Sequence, residues 1–321
     1  MALYADDTKI WRKLVSEEDH MVLQNDITYL YNWSINNKMK FHPLKCKVVS
    51  VAPRLPPLLG ILPFIQYIYY LGENPLDYSD CEKDLGVDIN TKLNFNGQCE
   101  RLYSKASQFL GLAKRTCHFV KDIRRRRALY LSLIRSQFEH CSPVWRPVHK
   151  TMLEKLENFQ KRCIKWILSE EFYSYGCYEE YLRKCCHVNI LPLAKHFDYN
   201  DLTLFFKIIH SLVPLKLPYY LEFFDGNSRL RTCHLDKLSL VSSIMPNCSN
   251  AASETNKNSV LYKSFYYRVH LLWNELPFEI RECECLPSFQ NKLIKFLWKS
   301  TKEEVDSYVA NMDNFDVQDD T

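Results

Sequence analysis

The chain has 321 residues and a formal net charge of +4, with 42 Lys/Arg against 38 Asp/Glu. It carries only 7 glycines, no two closer than 11 residues, which excludes a dinucleotide-binding fingerprint, a Walker loop and a nucleophile elbow, since each needs clustered glycines. Phosphates, if handled, are handled by side chains and metal ions.

The charge is unevenly placed. Residues 101–170 hold 16 Lys/Arg against 5 Asp/Glu, and residues 303–321 hold 7 acids and no base. The 13 scattered cysteines form an odd number, and Asp6 and Asp7 interrupt the start before a signal sequence could form. Reduced thiols in an intracellular protein are expected. Between Arg54 and Glu73 lie 18 uncharged residues, long enough for a membrane span. Pro56, Pro57, Pro63, Gly60 and Gln66 break that run, and no membrane association is predicted.

Taken in chain order, Ala2 to Tyr4 and Ile10-Trp11 read as strands around a polar Asp6-Asp7 turn. Ser16 followed by three acids predicts an N-capped helix to Asn36-Asn37, with Leu23, Ile27, Leu30 and Ser34 on one face and Val22 and Trp33 alongside. Strands are predicted over Lys45–Val51, Phe64–Leu71 and Glu82–Ile89, the last two flanking a Gly72-Glu73-Asn74-Pro75 turn. After Gly97 the apolar spacing becomes helical, with stretches around residues 102–117, 129–138 and 153–167. Helices are predicted over 194–212, 260–273 and 288–298, a Ser/Asn-rich loop over 227–257, and a disordered acidic tail beyond Lys302.

The residues that point to chemistry are Tyr4-Ala5-Asp6-Asp7. Adjacent carboxylates on a tight turn repel each other, and a divalent cation relieves that repulsion. Alone, Asp-Asp marks a solvated turn. In context, Leu3-Tyr4-Ala5-Asp6-Asp7-Thr8 resembles the catalytic Tyr-x-Asp-Asp hairpin of reverse transcriptases. Later segments resemble that family in order. Leu23 to Trp33 is similar to the helix after the hairpin, Asn37 to Cys46 to the next motif, and Asp84-Leu85-Gly86-Val87 to the primer-grip hairpin. Leu156-Glu157 with Gln160-Lys161-Arg162 is similar to a helix after the thumb, and Ser264-Phe265, Arg268, Trp273-Asn274 and Leu276-Pro277 to a C-terminal signature. The likeness is greatest to the Jockey-like and related group of non-LTR retrotransposons and spans residues 1 to about 298.

The resemblance implies an α+β fold. It comprises a partial polymerase palm over 1–97, a basic helical thumb-like segment over 98–170, a mainly helical region over 171–302 and the acidic tail over 303–321. It implies RNA-directed DNA synthesis with two Mg²⁺ ions, with an RNA template and an RNA/DNA duplex as partners. Asp6 is then the hairpin's metal ligand, Asp7 a secondary one, Lys45 a residue near the leaving pyrophosphate, and Leu85, Gly86 and Val87 the primer-grip turn. The sequence opens at the hairpin, so the first palm aspartate and the fingers are missing. The chain is expected to be a C-terminal fragment, inactive by itself, with an unpaired apolar sheet edge. A non-catalytic nucleic-acid-binding protein derived from such an element, or a truncated copy without selected function, are the alternatives.

Lys114, Arg115, Lys121 and Arg124-Arg125-Arg126-Arg127 form the densest positive run and are read as a phosphate-tracking surface that recognises backbone and duplex shape. A solvated helix start is the competing reading, since consecutive arginines cover all sides of a helix. Cys177, Cys185, Cys186, His187, Cys283 and Cys285 match no zinc spacing, and no zinc is expected. Phe205-Phe206, Phe223-Phe224, Tyr266-Tyr267, Trp145, Trp166 and Trp273 are read as core.

Overall fold

The computed structural model describes residues 1–51, 67–169, 178–223, 238–240 and 264–316. The fold is α+β, mostly helical with small two-stranded sheets. It divides into two compact units, Met1–Asn94 and Phe95–Thr321.

The first unit opens with a hairpin of β1 (Ala2–Tyr4) and β2 (Asp7–Lys9), which among the described residues pair only with each other and are exposed throughout. Helix α1 (Glu17–Asn36) follows. Its start is set by Asp19, whose carboxylate accepts from the backbone N–H of Val15 at 2.9 Å and of Ser16 at 3.1 Å. Those bonds hold the Asp19 carboxyl at about 2. Ile27 and Ser34 are buried and Leu23 and Leu30 half-buried, the face expected; Val22 and Trp33 point to solvent.

A 3₁₀ turn over Pro43–Lys45 precedes β3 (Lys47–Val48). Lys45 therefore lies in a turn and not in a strand, because Pro43 fixes φ at the first position and the Cys46 N–H closes onto its carbonyl at 3.1 Å. Next come β4 (Tyr70–Leu71), β5 (Asn74–Pro75), β6 (Asp77–Tyr78), β7 (Cys81–Asp84) and β8 (Val87–Asn90). β4 pairs with β5 and β7 with β8, both antiparallel, while β6 runs parallel to β3. Gly72 turns the β4–β5 hairpin at φ +64°, and a Cβ there would lie 2.5 Å from Tyr31 Cζ. The predicted 82–89 strand is folded back at Leu85–Gly86, φ +45° and +90°. Ile27, Tyr69 and Leu71 centre the core of this unit, packed by Leu23, Tyr31, Val48 and Tyr78 among others. Most of the uncharged 55–72 run lies outside the described residues.

In the second unit, α2 (Asn96–Thr116) leads to α3 (Ile123–Leu129), which passes through a π-helical segment, Tyr130–Arg135, into α4 (Ser136–Glu139). After the short α5 (Ser142–Trp145) come α6 (Lys150–Leu168), α7 (Tyr178–Val188) and α8 (Leu193–Ile209). Strands β9 (Leu221–Phe223) and β10 (Leu238–Leu240) pair antiparallel. Helices α9 (Phe265–Glu275), α10 (Phe278–Arg281) and α11 (Leu286–Asp316) complete the chain. α7 was not anticipated. β10 interrupts the predicted 227–257 loop, the rest of which lies outside the described residues.

The expected segments 98–170 and 171–302 fall within one compact unit. α6 packs on α2 and α3 and equally on α7 and α8. Two buried residues of α6 make this one body. Glu157 accepts from the N–H groups of Leu193 at 2.9 Å and Ala194 at 3.1 Å, capping α8, and from the Tyr181 hydroxyl of α7. Gln160 accepts from the Tyr130 hydroxyl at 2.8 Å and from Arg135, and donates to the Tyr181 hydroxyl and the Leu191 carbonyl, each at 2.9 Å. Tyr130 and Arg135 reach one acceptor because i→i+5 bonding stacks residues five apart, which the roughly 100° per residue of an α-helix would separate by about 140°.

Trp145, Phe205, Phe206 and Trp273 are fully buried, and Trp166 is buried, as read from sequence. The acidic tail is helical to Asp316, a correction to the expected disorder. Thr301 is buried, and Lys195 bonds both Ser300 at 3.0 Å and Glu304 at 2.8 Å, carrying α11 beyond residue 302.

Glu157→Ala leaves Tyr181 and two α8 N–H groups without their acceptor and is expected to cost about 3 kcal/mol, read as a lowered urea midpoint. In the first unit, the Asp19 cap is held above an unfolded pKa near 3.8 and lost as pH falls toward 2. The protection of the amides at the start of α1, taken against their intrinsic exchange at each pH, is expected to fall as pH drops from about 3.8 toward 2 and to stay level above that interval.

Candidate functional site

The Tyr4–Asp7 hairpin turns through Ala5 and Asp6, with Tyr4 paired to Asp7. The turn thus falls one residue earlier than expected: Asp6 is a turn residue and Asp7 the first residue of β2. Ala5 takes φ +51°, a left-handed conformation that costs an L-residue roughly 1 kcal/mol. Both carboxylates are exposed, and neither forms an ion pair among the described residues.

Two residues beyond Asp7, Lys9 forms an ion pair with Asp84 at the end of β7. This contact joins the first hairpin to the Leu85–Gly86 turn, where Leu85 is exposed and Val87 buried. Lys45 is exposed on its 3₁₀ turn. Among the described residues no three His, Cys, Asp or Glu side chains converge as a metal-holding group. Asp6 and Asp7 offer oxygen ligands suited to Mg²⁺, but only those two.

The basic run divides into two sets. Arg126 is buried. Its Nη1 donates to the Trp166 carbonyl at 2.6 Å and to Ser169 Oγ at 2.7 Å, its Nε donates to the Val120 carbonyl at 2.6 Å, and its guanidinium lies over the Trp166 ring. Arg127 donates to the carbonyls of Val188 at 2.8 Å and Asn189 at 2.9 Å. These two arginines sit at the C-terminal ends of α6 and α7, where cations are favoured; the Trp166 carbonyl also accepts from the Ser169 N–H at 3.3 Å. Arg126 is thereby turned into the fold and Arg127 is half-buried, whereas the expected phosphate surface needs exposed cations.

Lys114, Arg115, Lys121, Arg124 and Arg125 are exposed, and none pairs with a carboxylate among the described residues. Asp122, which interrupts the run, accepts from the Arg125 N–H at 2.8 Å and caps α3. Within the same stretch lie Phe119, 70% exposed, and His118, whose ring meets Phe119 edge-on at 5.7 Å. His118 and Phe119 are not among the residues expected to form the site. The signal was an aromatic residue placed between cations in a connection rather than on an apolar helix face.

The residues after residue 170 that carry the family resemblance hold the second unit together. Arg268 pairs with buried Asp201 at 3.2 Å and donates to the Pro143 carbonyl at 2.8 Å. Arg146 reaches Asp201 at 2.8 Å and Asp198 at 2.7 Å. Ser264 caps α9, and Trp273 and Leu276 are buried. Of the cysteine cluster, Cys177 lies outside the described residues, His187 is exposed, and Cys185 is buried, its thiol pushed up to about 12 by that burial. Among the described residues no helix is long and apolar enough to cross a membrane.

Comparison of the chain with protein-family models, with curated proteins and with solved structures finds no match.

The division of the arginines is measurable. Arg126→Ala is expected to cost about 2–3 kcal/mol in urea denaturation, because it removes three hydrogen bonds of a buried guanidinium and its packing over Trp166. Arg125→Ala is expected to stay within about 0.5 kcal/mol of the parent.

Proposed function

We propose that the chain is a nucleic-acid-binding protein of the reverse-transcriptase lineage of non-LTR retrotransposons, with Asp6 and Asp7 as metal-ligating carboxylates of a polymerase-type hairpin. The observation that carries the reading is the hairpin itself: Tyr4-Ala5-Asp6-Asp7 closes a two-residue turn with both carboxylates exposed and unpaired among the described residues. The Lys9–Asp84 ion pair supports it by linking this hairpin to the one at Leu85–Gly86, the primer-grip-like segment. In this reading the first unit is palm-like and α2 to α6 are thumb-like.

Bound Mg²⁺ would supply charge stabilisation for phosphoryl transfer. Mg²⁺ keeps most of its water unless several well-placed oxygens hold it, and Asp6 and Asp7 are two. A complete two-metal centre needs a further carboxylate beyond those the described residues converge. Binding of nucleic acid without polymerisation is therefore the activity proposed for this chain alone. Its partner surface is the exposed set Lys114, Arg115, Lys121, Arg124 and Arg125.

Two measurements test this. Affinity for an RNA/DNA duplex is expected to fall with salt at a log–log slope of about −4, from about five phosphate contacts; a flat slope removes the nucleic-acid reading. Primer extension on an RNA template with dNTPs and Mg²⁺ is expected to give no product. Templated synthesis that Asp6→Ala abolishes would show instead that the chain completes its own metal centre.

A further inference from the structure

We propose that the α2–α3 connection is a stacking station for single-stranded nucleic acid, in which Phe119 takes the face of an unpaired base while the surrounding cations hold the phosphates. The inference rests on the nucleic-acid reading above and narrows it from duplex shape to an unpaired strand.

Phe119 is the most exposed phenylalanine among the described residues, at 70%. Leaving a phenylalanine in water forgoes roughly 2 kcal/mol of burial. It is not a loose end. The Val120 N–H donates to the Cys117 carbonyl at 3.0 Å, and the Val120 carbonyl accepts from buried Arg126. His118 Nδ1 lies 3.1 Å from the Arg115 carbonyl and its ring braces Phe119 at 85°. The connection is thus tied to the C-terminal end of α6 through Arg126, and it presents the ring ready-made. Leu112, 48% exposed, and Ile123, 39% exposed, lie on the two flanking helices.

The chemistry around the ring selects the partner. Phe119 lies within residues 114–125, which carry five exposed cations without carboxylate partners among the described residues. The centre of a protein–protein interface is depleted of charge, so an apolar protein anchor fits this setting poorly. Aromatic rings set among Lys and Arg match unpaired nucleic acid, where the base stacks and the backbone is tracked electrostatically. A continuous duplex offers no free base face. Stacking needs only a π-face, so the preference is for single-strandedness and not for a base sequence.

The test uses the full chain, a labelled unstructured oligouridine and a blunt RNA/DNA duplex of equal length, with anisotropy titrations at fixed salt. Phe119→Ala is expected to weaken oligouridine binding about tenfold, with duplex binding changed less than about twofold, and Phe119→Trp to restore it. Arg124→Ala with Arg125→Ala is expected to weaken both ligands and flatten both salt slopes. If the charge variants weaken binding while Phe119→Ala does not, or if Phe119→Ala weakens both ligands equally, the stacking proposal fails and the nucleic-acid reading stands. If the parent binds neither ligand in a salt-dependent way, both fail. Phe119-dependent binding to phosphatidylserine vesicles, with none to oligouridine, would make the surface a membrane contact and overturn the proposal.

Discussion

The Glu157 carboxylate sits at the start of α8, where the first N–H groups have no helical acceptor and where Pro192 offers no side-chain cap. A charged group without partners in that interior would be costly, and here it is satisfied by two N–H groups and the Tyr181 hydroxyl. Gln160, one turn along α6, satisfies Tyr130, Arg135, Tyr181 and the Leu191 carbonyl. Four chain segments meet at these two side chains. The π-helical segment is the backbone's accommodation to that centre, since it lets Tyr130 and Arg135 share one face.

From this centre the placement of the surface follows. With α6 fixed, its C-terminal end favours a cation, and Arg126 supplies it while holding the Val120 carbonyl. Arg127 does the same for α7. Arg126 is thereby buried and Arg127 half-buried, and Arg124 and Arg125 before them are left facing water. Consecutive arginines on one helix cannot all do one job, because the helix turns each to a different direction. The connection that displays Phe119 inherits its rigidity from the buried arginine.

Much of this was legible in the residues. The Ser16–Asp19 start of α1, the apolar spacing of α2 and α6, and the aromatic core around Phe205 and Trp273 all follow from periodicity and capping. What was not legible depended on distant partners. The arginine run reads as one basic patch until the carbonyls of Trp166 and Val188 are placed beside it. Glu157 and Gln160 read as motif residues, and nothing local says that they are buried. Propensity reads Glu82–Ile89 as one strand, because it disfavours a non-glycine residue at positive φ; the likeness of Asp84–Val87 to a hairpin was the one pointer to the break at Leu85–Gly86. The helical course of residues 303–316 was hidden by acidity, since charge composition says nothing of the Lys195 contacts at Ser300 and Glu304 that carry α11 on.

On the proposal made above, nucleic acid meets the exposed α2–α3 stretch and not the arginine run as a whole. Photocrosslinking of a 4-thiouridine-substituted single-stranded RNA to the full chain, followed by peptide mapping, tests it most directly. Crosslinks are expected to concentrate within residues 114–125, with Phe119 among the modified positions. Crosslinks confined to other segments, with 114–125 unmodified, would contradict it.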